Sequence, residues 1–167
     1  MRINKKTIIS IVLCLAAVFM AVGYSILSTN LKITGGANIT STWDVRITGI
    51  TNNNASGSAY NLEEPSFTNN KAKFRVALVD PGDSMTYTIT IENKGTITAV
   101  LNNLDITTSG TDAIIYEVTG VSEGDTLAAG ETVNVFVVAR YDSNVIADPD
   151  QRVKTLSVGL NWLQYTN

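Results

Sequence analysis

Between Met85 and Glu92 the chain changes character at every residue: Met85, Tyr87, Ile89 and Ile91 alternate with Thr86, Thr88, Thr90 and Glu92. A repeat of two puts the apolar set on one face and the polar set on the other only if the backbone is extended, so this stretch is a strand with one packed face and one wet face. Its ends are marked. Asp80-Pro81-Gly82-Asp83 comes before it, with proline fixing φ and glycine accepting the positive φ of a tight turn. Asn93-Lys94-Gly95 closes it, and Ile97, Ala99 and Leu101 resume the alternation in a new strand.

The same period runs through most of the chain after residue 38. Ile39, Ser41, Trp43, Val45 and Ile47 share a face, followed by a loop over residues 51–58. Short edge strands are expected near residues 60–62 and 66–67, on either side of Glu63-Glu64-Pro65. Ala72, Phe74, Val76 and Leu78 oppose Lys73, Arg75 and Ala77, whose two cations read as a solvated stripe. Residues 100–107 form a strand with a bulge near Asn102-Asn103. Ile114, Tyr116 and Val118 alternate between turns at residues 109–112 and 122–125. Residues 127–132, followed by Val133, Val135, Val137 and Ala139, echo the first turn and strand, which places the two units on related edges of two sheets. After a loop over residues 142–152, Leu156, Val158, Leu160 and Trp162 alternate in a closing strand. About eight short strands with turn signals between them predict an all-β fold, an antiparallel β-sandwich of Ig-like or jelly-roll type, preceded by an N-terminal hydrophobic helix. Trp43, Phe74, Tyr87, Ile89, Val135, Val137, Val158, Leu160 and Trp162 are expected to form one inter-sheet core.

Residues 1–25 read as a signal peptide or membrane anchor. Arg2, Lys5 and Lys6 precede an uncharged run over residues 7–22, and Gly23-Tyr24-Ser25 offers small residues for a peptidase. The run lies between the length of a signal core and that of a spanning helix. Either way, basic residues in front of it direct the rest of the chain out of the cytoplasm, to a secreted state or to the outer face of the membrane. If uncleaved, the helix is the contact with the membrane. Residues 26–38 link it to the sandwich domain of residues 39–167. Ile26 and Leu27, then Leu31 and Ile33 alternating with polar neighbours, make a segment able to act as a strand, and Gly35-Gly36 gives it a hinge. It serves either as the first strand of its own domain or as a strand donated to another chain.

Composition narrows the chemistry. Histidine is absent and Cys14, the only cysteine, lies in the hydrophobic run, which removes the usual general base, the histidine-dependent nucleophile systems and disulfides. Glu63 and Glu64 are adjacent without a visible acid and base division of labour, so no enzyme and no cofactor are expected. Loss of Arg2, Lys5 and Lys6 on cleavage makes the exported part three charges more negative than the −3 of the whole chain, a poor match to nucleic acid. Asp142, Asn144, Asp148 and Asp150 gather hard oxygen donors in one loop, a candidate weak Ca²⁺ site without EF-hand spacing.

Several stretches bear a resemblance. The charged segment and apolar run, Gly-Tyr-Ser-Ile-Leu-Ser-Thr-Asn-Leu over residues 23–31, Thr-Trp-Asp-Val over 42–45, Pro-Gly-Asp over 81–83 and Ile-Glu-Asn-Lys-Gly-Thr over 91–96 resemble the TasA and camelysin family of exported β-sandwich proteins of Gram-positive bacteria. The resemblance implies a secreted or surface structural protein, cut by a signal peptidase. Its subunits would associate with one another by giving an N-terminal strand to a neighbour, building a biofilm-matrix fibre. This chain is shorter than the matrix subunits, and it has no histidine on which a zinc protease could be built. The alternative is a membrane-tethered Ig-like module that binds an extracellular protein or carbohydrate through its loops, where Tyr60, Phe67 and Tyr165 are the available aromatic residues.

Overall fold

The computed structural model describes residues 4–27, 41–145 and 152–165. It divides into residues 1–39 and residues 40–167. The first unit contains α1 (Lys5–Leu27), as the apolar run predicts. Among the described residues no helix is long and apolar enough to cross a membrane.

Among its described residues the second unit holds nine strands: β1 (Val45–Ser56), β2 (Tyr60–Phe67), β3 (Lys71–Ala77), β4 (Ser84–Asn93), β5 (Ala99–Gly110), β6 (Ile114–Thr119), β7 (Thr126–Leu127), β8 (Thr132–Tyr141) and β9 (Val153–Gln164). They form two antiparallel sheets, ordered β1-β4-β8-β6 and β2-β3-β9-β5-β7. Their shared core joins Met85, Tyr87, Ile89 and Ile91 of β4 and Val135, Val137 and Ala139 of β8 to Phe74 and Val76 of β3 and Leu156, Val158 and Leu160 of β9. Across the interior the rings of Phe74 and Tyr87 lie 4.8 Å apart, a tilted aromatic pair.

The turns are built by one repeated device. In residues 80–83 the Asp83 amide donates to the Asp80 carbonyl (3.0 Å), with Gly82 at φ 96°. The Asp83 carboxylate turns back to accept the Val79 and Asp80 amides at 3.0 Å each, and also the Ser58 amide at 3.3 Å. Residues 122–125 repeat this: Asp125 bonds the Ser122 carbonyl through its amide (3.0 Å) and accepts the Ser122 amide on its side chain (2.7 Å). Residues 128–131 do the same with Glu131 and Ala128, at 3.1 and 3.0 Å. Each turn thus satisfies its own main-chain donors before a strand begins. Asn93, fully buried at the end of β4, accepts the Gly95 amide and donates to the carbonyls of Ile97 and Leu127.

Four expectations need correction. Trp43 is 44% exposed and precedes β1, so it is not part of the core. Its neighbours Thr42 and Asp44 accept the amides of Thr96 and Lys94 (2.9 and 2.7 Å), extending the pairing past the end of the strand, and Trp43 lies at the rim beside Leu160 and Trp162. Residues 51–56 are strand and not loop, because β4 offers them a ladder partner with irregularities at Ile47/Gly49 and Asn52/Asn54. β2 is one edge strand, with register breaks on both sides of Glu63. The two echoing units feed β4 and β8, which are the two central strands of a single sheet and not edges of two.

Candidate functional site

The sandwich is incompletely closed where β5 and β6 stand. β5 pairs with β9 along its whole length, but on its other side β7 reaches only Ala99 and Val100. The chain before β7 continues the cover briefly. Leu101 donates to the Asp125 carbonyl and accepts the Gly124 amide (2.8 Å each), and the Leu104 amide finds the Glu123 side chain at 3.0 Å. Among the described residues no strand lies alongside β5 beyond that point. The Leu104 amide points away from β9, so by the two-residue repeat of an antiparallel ladder Ile106 and Thr108 direct their main-chain groups the same way.

The inward side of this edge carries two apolar side chains, Leu104 and Ile106. Ile106 is the register partner of Val158, which is fully buried, so the two share the inward face; yet Ile106 is 46% exposed. Leu104 is half-buried against the core. β6 is the matching edge of the other sheet, pairing with β8 on one side only among the described residues. Its Tyr116 and Val118 are half-buried, and the Tyr116 hydroxyl crosses to the second sheet to donate to the Lys154 carbonyl at 3.2 Å. Burial, helped by the negative charge that Tyr87 would carry, pushes the Tyr116 hydroxyl well above its ordinary pKa, so it remains a neutral donor. The result is a seam whose strand edges are unpaired among the described residues and which carries the apolar Leu104 and Ile106, the chemistry that accepts another strand.

The sequence-predicted residues are placed as follows. Ile26 and Leu27 are the last residues of α1 in the uncut chain. Leu31, Ile33, Gly35 and Gly36 lie outside the described residues, as do Asp148 and Asp150. Asp142 uses Oδ1 to accept both the main-chain and the side-chain N–H of Asn144 (3.0 Å each), closing a turn of its own. Among the described residues no group of three metal-ligating side chains forms. Tyr60, Phe67 and Tyr165 are exposed.

Leu104 and Ile106 were not singled out from the sequence. The available signal was one of unequal lengths: the alternation in residues 100–107 continues well past what Thr126 and Leu127 can cover. No family model, curated protein or solved structure matches this chain.

Proposed function

We propose that the chain is an exported, non-enzymatic structural protein of the secreted or cell-surface kind that self-associates by strand addition, with residues 26–38 as donor and the β5–β6 seam as acceptor. The observation that carries this reading is the exposed Ile106 on the inward side of an unpaired edge. A donated strand there would gain main-chain hydrogen bonds from β5 and bury Ile106 and Leu104 against the alternating Leu31 and Ile33. Because donor and acceptor are different surfaces, the contact runs head to tail and need not close, which favours a filament of the biofilm-matrix type.

Export rests on the charged start and on the exposed apolar side chains of α1, among them Ile9, Leu13 and Phe19. A helix apolar on all sides suits a signal sequence held by export machinery. α1 also keeps Ile26 and Leu27 helical, so cleavage near Ser25 would release them and act as the assembly switch. The jelly-roll form is the reading of the sandwich we favour. From β3 to β9 each successive strand changes sheet, leaving β2–β3 as the one hairpin within a sheet, whereas Ig-type sandwiches place several consecutive strands side by side.

The test compares residues 26–167, the same chain starting at Gly35, and residues 26–167 carrying Ile106→Lys, by sedimentation and electron microscopy. The first should assemble with rising concentration, the second should stay monomeric, and the third should assemble more weakly because a charged edge resists pairing. If all three remain monomeric and equally stable at every concentration, strand addition is wrong.

A further inference from the structure

The rim where Trp43 sits carries an independent feature. A cavity of about 190 Å³ is lined by Trp43, Val45, Asn70, Leu160, Asn161 and Trp162. A second, of about 260 Å³, shares Asn70, Leu160 and Asn161 with it and adds Asn103, Asp105 and Lys71. The two are therefore neighbours. Trp162 is only 9% exposed, and its indole N–H is buried without a hydrogen-bond acceptor. A buried donor left unmade is costly, which is why such groups commonly meet a ligand or an ordered water. Beside it stand an exposed indole face and the carboxamides of Asn70 and Asn161, with the Asp105 carboxylate and the Lys71 ammonium next door.

These groups match one ligand class. A pyranose ring has an apolar C–H face that lies flat on an indole, and it has hydroxyls around its edge that both donate and accept. Carboxamides serve both roles, a carboxylate accepts from adjacent hydroxyls, and an ammonium or indole N–H donates to sugar oxygens. A purely apolar ligand would make no use of the amides or of Asp105, and an anionic ligand would meet Asp105. We infer that this rim is a saccharide-binding site, with Trp43 as the stacking platform, the Trp162 N–H and the Asn70 and Asn161 amides fixing one ring, and Asp105, Asn103 and Lys71 serving the next ring of a neutral oligosaccharide. The site does not depend on the strand-addition reading, since it uses neither residues 26–38 nor the β5–β6 seam.

The chain supplies its own probe, because Trp43 and Trp162 are its only two tryptophans. Full-length protein in a zwitterionic, sugar-free detergent is titrated with cello-, chito- and malto-oligosaccharides while tryptophan emission is followed. At least one series should give a saturable change. Trp43→Ala should abolish binding while the far-ultraviolet circular dichroism is unchanged, as befits an exposed residue. Trp162→Phe, which keeps an aromatic ring but removes the N–H, should weaken binding about tenfold, and Asp105→Asn, away from the core, should weaken it for longer oligomers more than for short ones. The inference is overturned if no series gives saturation up to millimolar ligand, which leaves the Trp162 N–H to a structural water, or if Trp43→Ala binds as the parent does.

Discussion

Asp83 shows how much one side chain organises. Its buried carboxylate accepts three main-chain amides, those of Val79, Asp80 and Ser58, from two separate stretches of chain. Gly57 makes room for it: a Cβ there would stand 1.8 Å from Asp83 Oδ1, at a backbone φ of 65°. Asp83→Ala should therefore cost about 3 kcal/mol in denaturant unfolding, since it strands several partly buried donors at once; a loss below about 0.5 kcal/mol, the range of ordinary surface changes, would show that water replaces the carboxylate without penalty. Tryptophan at position 43 gives the opposite case. Period-two alternation assigned Trp43 to the side of Val45 and Ile47, and it does border the same cavity as Leu160 and Trp162. What alternation does not encode is where the opposing layer stops. Trp43→Ala is expected to cost less than about 1 kcal/mol and Leu160→Ala about 2–5 kcal/mol, and equal losses in the two unfolding curves would return Trp43 to the core.

At the level of elements, the three turns that bond a residue to the carboxylate three places on differ in how deeply they are set. Glu131 serves an exposed amide of Ala128, whereas Asp83 is buried. Gly130 has a φ of 78° with open space where a Cβ would be placed, so Gly130→Ala should lose about 1 kcal/mol from backbone conformation alone. Thermal or denaturant melts check this, and a neutral result would mean that the turn relaxes out of the left-handed region. Such turns were legible because glycine, proline and carboxylates have local roles that survive in any fold. The interiors of β3, β4, β8 and β9 were legible for a similar reason, as each is long, regular and covered along its inner side. Even the irregularity between Leu101 and Asn103 fell where two adjacent asparagines suggested it. The strand character of residues 51–56 was not readable, because Asn52, Asn53 and Asn54 have loop preferences that pairing with β4 overrides; Asn53 even donates to the Thr88 hydroxyl across that pairing. The seam at Ile106 was equally hidden, since it depends on which strand fails to lie beside β5, a property of sheet order and not of any one segment.

Across the whole domain, two tyrosines tie stability to pH. Tyr87 donates to Asn61 and Tyr116 to Lys154, and burial is the main cause that raises both above the ordinary value of 10.0, with the charge of Glu64 adding to it for Tyr87. The unfolded chain gives up these protons near pH 10 while the folded one keeps them. Stability is therefore whole below about pH 10 and falls above it by about 1.4 kcal/mol per pH unit for each tyrosine. Denaturant midpoints taken through the alkaline range should show this decline, with Tyr116→Phe removing about half of the slope; a flat profile would mean that both hydroxyls ionise in place. The order of strands in space also has a consequence in time. β9 comes last of the nine along the chain but lies between β3 and β5 in the middle of its sheet. Neither neighbour can complete its ladder until residues 153–164 are present, and β4 must likewise wait for β8. Contacts of such long sequence separation form slowly. A domain emerging residue by residue therefore keeps one sheet incomplete until residues 132–141 have appeared and the other until residues 153–164 have, a delay that suits the export proposed above.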